Sequence, residues 1–374
     1  MKFPSSALLA AVLISVGVST SLGGGLDVEL AKVRAIGPRG QGHEQAIEAI
    51  RKVSQADINQ LIVILDAMKE TNPLARNWLR SAVERVVQRG DDAGQSLPNK
   101  ELVKFLENTT NDPHARRLAY EILVAHNADF AVEWSQRFLD DPSLELRRDS
   151  VQLLLDEAGK LADADNKTAA VDKLSEAVVA ARDLDQITAA ANALGKLGTE
   201  IDVNELMGFI MSWHLAAPFD NTDKSGFDLV YPPEKGVDLK ATYAGKDAAV
   251  KWIAHDAEAK FGIVDLNAAL ANHKGAICYA YAEFYAAAAR EIEIRIGCIN
   301  GNKVWLNGEL LTANHVYHAN MYVDQYKGTG RVKAGKNTIL VKIAQNEQDE
   351  DWAQRWQFQL RICDALGGAI KSAK

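Results

Sequence analysis

Tryptophan and asparagine side chains in two short stretches of the C-terminal half could bind a sugar. Trp305 and Asn307 lie in KVWLNGEL, and Trp352 and Trp356 lie in NEQDEDWAQRW. Sugars present apolar C–H faces together with hydroxyl groups, so exposed aromatic rings beside a few polar groups are the expected recognition chemistry. These four residues are the predicted ligand-binding residues. The alternative for each tryptophan is a packing role beneath a loop.

The KVWLNGEL stretch has the pattern of a strand that ends in a tight turn. Alternation along a strand places Val304 and Leu306 on one face and Trp305 on the other. Asn307-Gly308 predicts a hairpin, because a type I′ turn needs positive φ at both central residues. Trp305 is therefore expected on the face that points away from the core, next to the turn.

Three carboxylates in DNTDKSGFD could hold calcium. Asp220, Asp223 and Asp228 offer the hard oxygen ligands that Ca²⁺ prefers. An EF-hand is excluded, because Pro232 stands where the bidentate glutamate of that loop should be. Capping and turn roles are the main prediction for these residues, and a structural calcium in the loop is the alternative.

Catalytic motifs are missing from the sequence. It contains no G-x-S-x-G, no H-E-x-x-H, no phosphate-binding loop and no dinucleotide fingerprint. A glycan hydrolase needs two carboxyl groups about 5–9.5 Å apart in a cleft, and 50 acidic residues leave no particular pair favoured. The sequence therefore favours a protein that is not an enzyme.

Composition limits the class of protein. The 374 residues suffice for two or three domains, with 47% hydrophobic and 25% charged residues, as in ordinary globular proteins. The formal net charge of −8 and the lack of a basic stripe argue against a nucleic-acid partner.

The N-terminus resembles an export signal. Lys2 precedes the apolar run ALLAAVLISVGV, and STSLGGG then supplies small residues for cleavage. We predict a signal peptide at residues 1–22, cleaved near residues 20–23, and a protein exported to the periplasm or the exterior. The apolar run is short for a membrane span, which needs about 20 residues.

The chain has three cysteines, Cys278, Cys298 and Cys363. So few, and an odd number, do not form a disulfide framework. Cys298 alternates in register with the isoleucines of EIEIRIGCI, which predicts a small core residue. The sequence leaves open whether two of the three form a bridge.

Residues 26–200 have helical periodicity, with apolar residues at three- and four-residue spacing. The breaks at Asn72-Pro73, Asp112-Pro113 and Asp141-Pro142 place an N-cap residue before a proline suited to the first turn. The first two breaks are about 40 residues apart, close to the roughly 40–47-residue period of HEAT units. DPSLELRRDSVQLLL resembles the second helix of such a unit, with Arg147 inside it. We predict a HEAT-like helical solenoid whose surface binds a protein partner; an irregular helical bundle is the alternative.

Residues 205–370 have a period of two. Alternating apolar stretches, punctuated by Gly and Asn, predict several antiparallel strands and a β-sandwich. The stretches are AICYAYAEFYA, EIEIRIGCI, NKVWLNGELL, NTILVKIAQ and RWQFQLRICD. PFDNTDKSGFDLVYPPEK is predicted to be a long loop.

The same half resembles galactose-binding-like jelly-roll domains of exported bacterial proteins. The resemblance rests on WHLAAPFDNTDKSGFDLVYPPE, then GCINGNKVWLNGELL, VKAGKNTILVKIAQ and RWQFQLRICDALG in that order. It departs from the pattern at Ala217, where glycine is common, and at Cys298, where a small polar residue is usual. The resemblance implies an accessory sandwich that is usually non-catalytic and often binds carbohydrate. The matching motif positions are Trp213, Pro218, Phe219, Trp305, Asn307, Gly308, Gly335 and Asn337.

These observations predict an α+β, multidomain exported protein. Its sandwich would bind carbohydrate or another extracytoplasmic polymer, and its helical repeats would bind a protein partner. A purely structural protein–protein interaction module is the first alternative. An accessory part of a glycan-degrading enzyme is the second.

Overall fold

A computed structural model describes residues 24–373 of the chain. It combines α-helices with antiparallel β-sheets, which confirms the predicted α+β multidomain class. The predicted signal peptide at residues 1–22 lies outside the described residues. Within the described range, no helix combines the length and the apolar character needed to cross a membrane.

In the described chain, ten α-helices precede residue 200 and three short ones follow it. They are α1 Gly24–Arg34, α2 His43–Val53, α3 Leu61–Asp66, α4 Pro73–Asp92, α5 Asn99–Glu107, α6 Pro113–His126, α7 Asp129–Trp134, α8 Leu144–Asp163, α9 Lys167–Ala180, α10 Leu184–Lys196, α11 Val203–Met207, α12 Pro232–Lys235 and α13 Leu266–Ala269.

Two compact units divide between Ala131 and Val132. The first unit is helical in its described part. The second contains α8–α11 together with all the described strands. The change from helix to strand, near the predicted boundary at residues 200–205, therefore lies inside the second unit.

The helix starts follow the capping chemistry of the sequence at two of the three proline breaks. At the start of α4, the Asn72 side chain accepts hydrogen bonds from the backbone N–H groups of residues 74 and 75. At the start of α6, the Asp112 side chain accepts them from the backbone N–H groups of residues 114 and 115. The third break differs. α8 begins two residues after Pro142 with Ser143 as its N-cap, and Asp141 instead accepts a hydrogen bond from the Ser143 N–H at 2.7 Å.

Two arginines are buried close to helix starts in this half. Nε of Arg116 donates to the Leu106 carbonyl at 2.8 Å, and Nε of Arg147 donates to the Asp141 carbonyl at 3.0 Å. Each guanidinium satisfies a carbonyl of the preceding turn or helix end, which would otherwise be buried without a partner. These two arginines, of which Arg147 was noted in the sequence, therefore tie successive segments together.

The strands all lie beyond residue 211 in the described chain. They are β1 Ser212–Asp220, β2 Thr242–Ala244, β3 Ala249–Lys251, β4 Ile253–Asp256, β5 Val264–Asp265, β6 Ala276–Ala286, β7 Arg290–Cys298, β8 Gly301–Leu306, β9 Glu309–Asn314, β10 Tyr326–Val332, β11 Gly335–Gln345 and β12 Gln357–Cys363.

The strands form a β-sandwich. A six-stranded sheet has the order β4-β1-β6-β11-β8-β9, a four-stranded sheet has the order β10-β7-β12-β5, and β2 and β3 form a small ribbon. All pairings are antiparallel in the described residues. Inward side chains of both sheets, including Val341, Val304, Ile294 and Leu360, form one apolar core. Apolar residues at every second position build this interface.

Helices α8–α11 pack into a second core within the same unit. This core contains Leu154 of α8, Leu174 of α9 and Ile187 of α10, and it extends to Phe209 just before β1. On the outward side of β12, the guanidinium of Arg361 donates to the Met207 carbonyl of α11 at 3.3 Å. Apolar packing and hydrogen bonds thus join these helices to the sandwich.

Candidate functional site

Two aromatic side chains with a leucine between them form a row, which we call the aromatic row, across the outer face of the six-stranded sheet. The register pairs Tyr281 of β6 with Leu340 of β11, and Leu340 with Trp305 of β8. Directly opposite residues on neighbouring strands have Cβ atoms about 4.5–5.5 Å apart, so these three side chains are neighbours on one face. Val304 and Leu306 point into the core, as the alternation predicted.

A cavity of ≈190 Å³ opens beside this row. Tyr281, Leu340 and Trp305 form part of its lining, together with Thr338 and Gly308. Trp305 is partly exposed there. The cavity therefore presents an indole at its surface, with backbone and hydroxyl groups close by.

The opposite wall comes from the segment that covers the rest of this sheet face. We call residues 221–252 the covering segment; its apolar side chains, among them Phe227 and Trp252, pack on Tyr279 and Ile277 of β6. The short helix α12 and the two residues after it line the cavity, from Pro233 to Val237. The shape of the cavity thus depends on how firmly α12 is held.

A buried ion pair holds α12. Nζ of Lys342, which is fully buried, donates to the Glu234 carboxylate at 2.9 Å and to the Leu229 carbonyl at 2.7 Å. The Tyr279 hydroxyl also donates to Glu234. Burial lowers the pKa of Lys342, against the opposing effect of Glu234, and burial raises the pKa of Tyr279. The network fastens the covering segment to β6 and β11.

A polar group lies next to Tyr281, outside the lining of the cavity. Glu283, two residues after Tyr281 on β6, accepts hydrogen bonds from the hydroxyl groups of Tyr281 at 3.1 Å and Tyr285 at 3.0 Å. Lys336 of β11 bonds to the same carboxylate. That bond, more than any other influence, holds the pKa of Glu283 below its usual value. Hydroxyl, carboxylate and ammonium groups therefore stand beside the aromatic row.

Asn307 serves the turn and not the cavity. Its φ is 51° and that of Gly308 is 86°, which confirms the predicted positive φ at both turn positions. The Asn307 amide donates to Asn337 Oδ1 at 2.9 Å and accepts from the Thr338 N–H at 3.0 Å. Asn337 is itself buried and closes the next turn by bonding to the Lys333 backbone. The side chain of Asn307 is thus occupied within the protein.

Substitution Asn307→Ala is expected to lower the free energy of unfolding by about 1–2 kcal/mol, because alanine resists the left-handed region and makes no amide hydrogen bonds. Asn307→Gly should cost less, since glycine adopts this φ freely. Urea denaturation measures both. Equal losses for the two variants would show that backbone conformation is not the cause.

Trp352 stands apart from the cavity. Its side chain is 61% exposed, and its ring meets that of His318 edge-on at 5.1 Å. Aromatic contacts continue from His318 to Tyr317 and on to His315, whose ring stacks on Phe227 at 4.0 Å. The structure therefore does not bring Trp352 together with Trp305.

Trp356 was predicted to bind the ligand, and the structure corrects this prediction. Its side chain is 0% exposed and belongs to the apolar core between the two sheets. It precedes β12, whose residues Phe358 and Leu360 continue the same core. A ring with no accessible face cannot stack on a sugar, so Trp356 is a packing residue.

The carboxylates predicted as calcium ligands are not brought together. Asp220 caps the turn that follows it by accepting from the Thr222 N–H and hydroxyl, at 3.1 and 2.7 Å. Asp228, mostly exposed, pairs with Lys303 at 3.1 Å. Asp223 sits at a φ of 56° in the turn, with its N–H donated to Glu347 at 2.5 Å. No group of three or more His, Cys, Asp or Glu residues in the described chain could hold a metal ion, so the three carboxylates have the capping, turn and pairing roles just described.

The three cysteines are free and buried. Cys278 and Cys298 lie in the core between the sheets, as predicted for Cys298. Burial raises the pKa of the Cys298 thiol to about 12 and that of Cys363 to about 11. All three are therefore small core residues in the thiol form.

Sequence reasoning missed most of the cavity. It did not predict Tyr281, Glu234 and Thr338 of the lining, or Glu283 and Lys336 beside it. Alternation in AICYAYAEFYA would have placed Tyr279, Tyr281 and Glu283 on one face, but not beside Trp305. That requires the strand order β6-β11-β8, which no local pattern encodes.

Comparison with known proteins gives faint local likenesses. No protein-family model matches the sequence, and no curated protein matches it. A family 35 carbohydrate-binding module from an environmental isolate is 17% identical and aligns over 25% of this chain and 69% of its own, with a TM-score of 0.19.

Two enzymes are similar over longer stretches. A β-glucuronidase of Faecalibacterium prausnitzii is 14% identical, over 42% of this chain and 31% of its own, with a TM-score of 0.24. A β-glucosidase of Kluyveromyces marxianus is 10% identical, over 75% of this chain and 35% of its own, with a TM-score of 0.27. Scores this low carry no argument about function, which has to come from the site itself.

Proposed function

We propose that this protein is a non-catalytic carbohydrate-binding protein and that its sandwich holds a saccharide in the cavity beside Trp305. One observation carries the proposal: a partly exposed indole at the end of a cross-strand aromatic row lines a cavity together with Tyr281 and Thr338. The Tyr281 hydroxyl leads on to the polar pair of Glu283 and Lys336 beside the cavity. An aromatic face packs on the C–H face of a sugar ring, and the polar group exchanges hydrogen bonds with its hydroxyls.

The cavity size supports a small ligand unit. At ≈190 Å³ it is smaller than the roughly 300–1,000 Å³ of drug-sized sites, so it fits one sugar ring of a longer chain better than a whole oligosaccharide. Side chains at its rim are exposed, so neighbouring sugar units can extend into solvent. A polymer end or branch is the natural target of such a site.

Binding without hydrolysis is supported by the carboxylates at the cavity. A glycosidase needs one carboxyl group kept protonated to donate to the leaving oxygen. Glu283 is bonded to Lys336, and its pKa is lowered. Glu234 is bonded to Lys342 and Tyr279. Both carboxylates are thus held in bonds to other side chains of the protein.

The proposal also includes export of this protein and a protein partner for its helical half. The export signal at residues 1–22 would place the protein where extracellular glycans occur. The helices before residue 200 would form a HEAT-like stack, supported by the buried arginines 116 and 147 and their bonds to preceding carbonyls. Such a stack offers an extended surface to a protein partner.

Substitution Trp305→Ala tests the proposal. Calorimetric titration with neutral oligosaccharides, such as cellohexaose, xylohexaose and mannohexaose, should find at least one ligand. Its dissociation constant should rise at least tenfold in the variant, because truncating a central aromatic anchor removes a large share of the binding energy.

Trp352→Ala is the matched control, since it removes an exposed tryptophan away from the cavity. It should bind like the unaltered protein. If Trp352→Ala loses binding and Trp305→Ala does not, the saccharide binds at the aromatic cluster of Trp352, His318 and Tyr317. The proposed site beside Trp305 would then be refuted. No binding to any glycan, with a lowered melting temperature for Trp305→Ala, would make the sandwich a structural module.

A further inference from the structure

A second cavity, larger than the one beside Trp305, lies in the helical first unit. It has a volume of ≈610 Å³ and is formed by α2, the turn after it and α4. We call it the arginine cleft. Its lining residues are Ile50, Arg51, Ser54, Gln55, Trp78, Ser81, Arg85, Gln88 and Arg89. All of them belong to the first unit, whereas the cavity beside Trp305 belongs to the second.

One face of α4 supplies the floor of the arginine cleft. Trp78, Ser81, Arg85 and Arg89 recur at three- and four-residue spacing, which aligns them on one side of a helix. At 1.5 Å per residue the row is about 16 Å long. Trp78 is half-buried, and its ring lies 5.4 Å from that of His43 at the start of α2. The cleft thus has an aromatic end and a cationic end.

The arginines at the cationic end are not all paired with a carboxylate. Arg51 pairs with Glu48 at 2.6 Å on the surface. Arg89 donates to the carbonyls of Ser54 at 3.1 Å and Ala56 at 3.4 Å, which fixes its guanidinium without neutralising it. Among the described residues no acidic side chain pairs with Arg85, and the lining contains no Asp or Glu. In a chain with net charge −8, such a group favours an anionic ligand.

We infer that the arginine cleft binds an acidic saccharide, a sugar unit that carries a carboxylate. Arginine presents a planar fork that matches a carboxylate in two parallel hydrogen bonds. The half-buried indole of Trp78 offers a stacking face for the sugar ring, and the Gln55 amide and the Ser81 hydroxyl can bond to ring hydroxyls.

The composition of the lining favours a sugar over an acidic peptide. A peptide docked along a helical groove gains affinity from apolar anchors. Here only Ile50 and Trp78 are apolar, while the other lining side chains are hydrogen-bonding groups. A hydroxyl-rich anion satisfies such a surface, whereas an apolar anchor would leave its polar groups without partners.

The test uses the purified full chain, tetragalacturonate and the methyl ester of the same tetramer. Calorimetry at low salt should show binding of the acid and weak binding of the ester, which lacks the charge. Arg85→Gln should weaken binding of the acid about tenfold, and added salt should weaken it further. Arg80→Gln is the matched control, because Arg80 lies on the same helix but pairs with Glu84 and Glu121. It should bind like the unaltered protein.

Three outcomes would overturn the inference: equal binding of acid and ester, unchanged affinity in Arg85→Gln, or an octaglutamate peptide that binds as tightly as the sugar acid. Trp305→Ala separates the two sites. If it abolishes binding of neutral glycans but leaves tetragalacturonate bound, both sites stand. If it abolishes binding of tetragalacturonate as well, the acid binds in the sandwich and the arginine cleft is refuted.

Discussion

Substitution Asp324→Asn is expected to lower the free energy of unfolding of the second unit by about 3–5 kcal/mol, the usual cost of removing one partner from a buried ion pair. The Asp324 carboxylate accepts from Nε of Arg361 at 2.6 Å, from its Nη2 at 2.5 Å, and from Nη1 of Arg295 at 2.8 Å. Arg361 is only 2% exposed. Without the carboxylate, its charge stays buried and loses its counter-charge.

Urea denaturation followed by tryptophan fluorescence measures this loss, because Trp213 and Trp356 lie in the sandwich core. Glu205→Gln is the matched control. It removes the exposed Glu205–Lys371 pair of the same unit, and exposed pairs contribute about 0–1 kcal/mol. A loss in Asp324→Asn no larger than in this control would contradict the assigned role of the network.

The same carboxylate predicts acid sensitivity. Burial acts to raise the pKa of Asp324, but Arg361 and Arg295 outweigh it, and the pKa falls below the ordinary value of 3.8. A group with a lowered pKa in the folded state contributes stability that is complete above the unfolded pKa and is lost as pH falls through the folded one. Stability should therefore decline below about pH 4, and this part of the decline should be absent in Asp324→Asn.

Substitution Glu234→Gln is expected to cost about 3 kcal/mol and to loosen the cavity wall. It leaves the fully buried Lys342 ammonium with the Leu229 carbonyl but without a carboxylate. Because Glu234 also fastens α12, saccharide affinity at the cavity should fall together with stability. Asp228→Asn, which removes the mostly exposed carboxylate that pairs with Lys303, should change neither by much.

A double substitution separates charge from shape. Glu234→Gln combined with Lys342→Met removes the buried charge and keeps similar volumes, so it should recover much of the stability lost in Glu234→Gln alone. A double variant at least as unstable as the single one would show that the hydrogen bonds, and not the unpaired charge, carry the effect. Thermal and urea unfolding give the comparison.

Local sequence patterns predicted the elements well where one face of a strand carries a run of apolar side chains. EIEIRIGCI and NTILVKIAQ alternate because one face of each strand packs on the core, and both are strands with inward isoleucines. Asn307-Gly308 predicted a turn, because few residues tolerate positive φ. The proline break at residue 142 failed in detail, because Ser143 caps the helix later than Asp141 could.

Patterns did not distinguish an exposed tryptophan from a buried one. Trp352 and Trp356 lie four residues apart in the same polar stretch, yet one is 61% and the other 0% exposed. The chain turns into β12 between them, and that turn directs Trp356 inward. The carboxylates 220, 223 and 228 diverge for a similar reason, since each satisfies a different local partner.

By itself the sequence determined the change from helical to strand periodicity near residue 205, the faces of the long strands, and the side of its strand on which Trp305 lies. These properties depend on the spacing of side chains along a single element. Only the tertiary structure decided which side chains surround Trp305, which lysines pair with the carboxylates beside it, and that Arg51 of α2 shares a cleft with the arginines of α4. Those neighbours come from segments far apart in the chain, and strand order and helix packing, which follow from the free energy of the whole fold, bring them together.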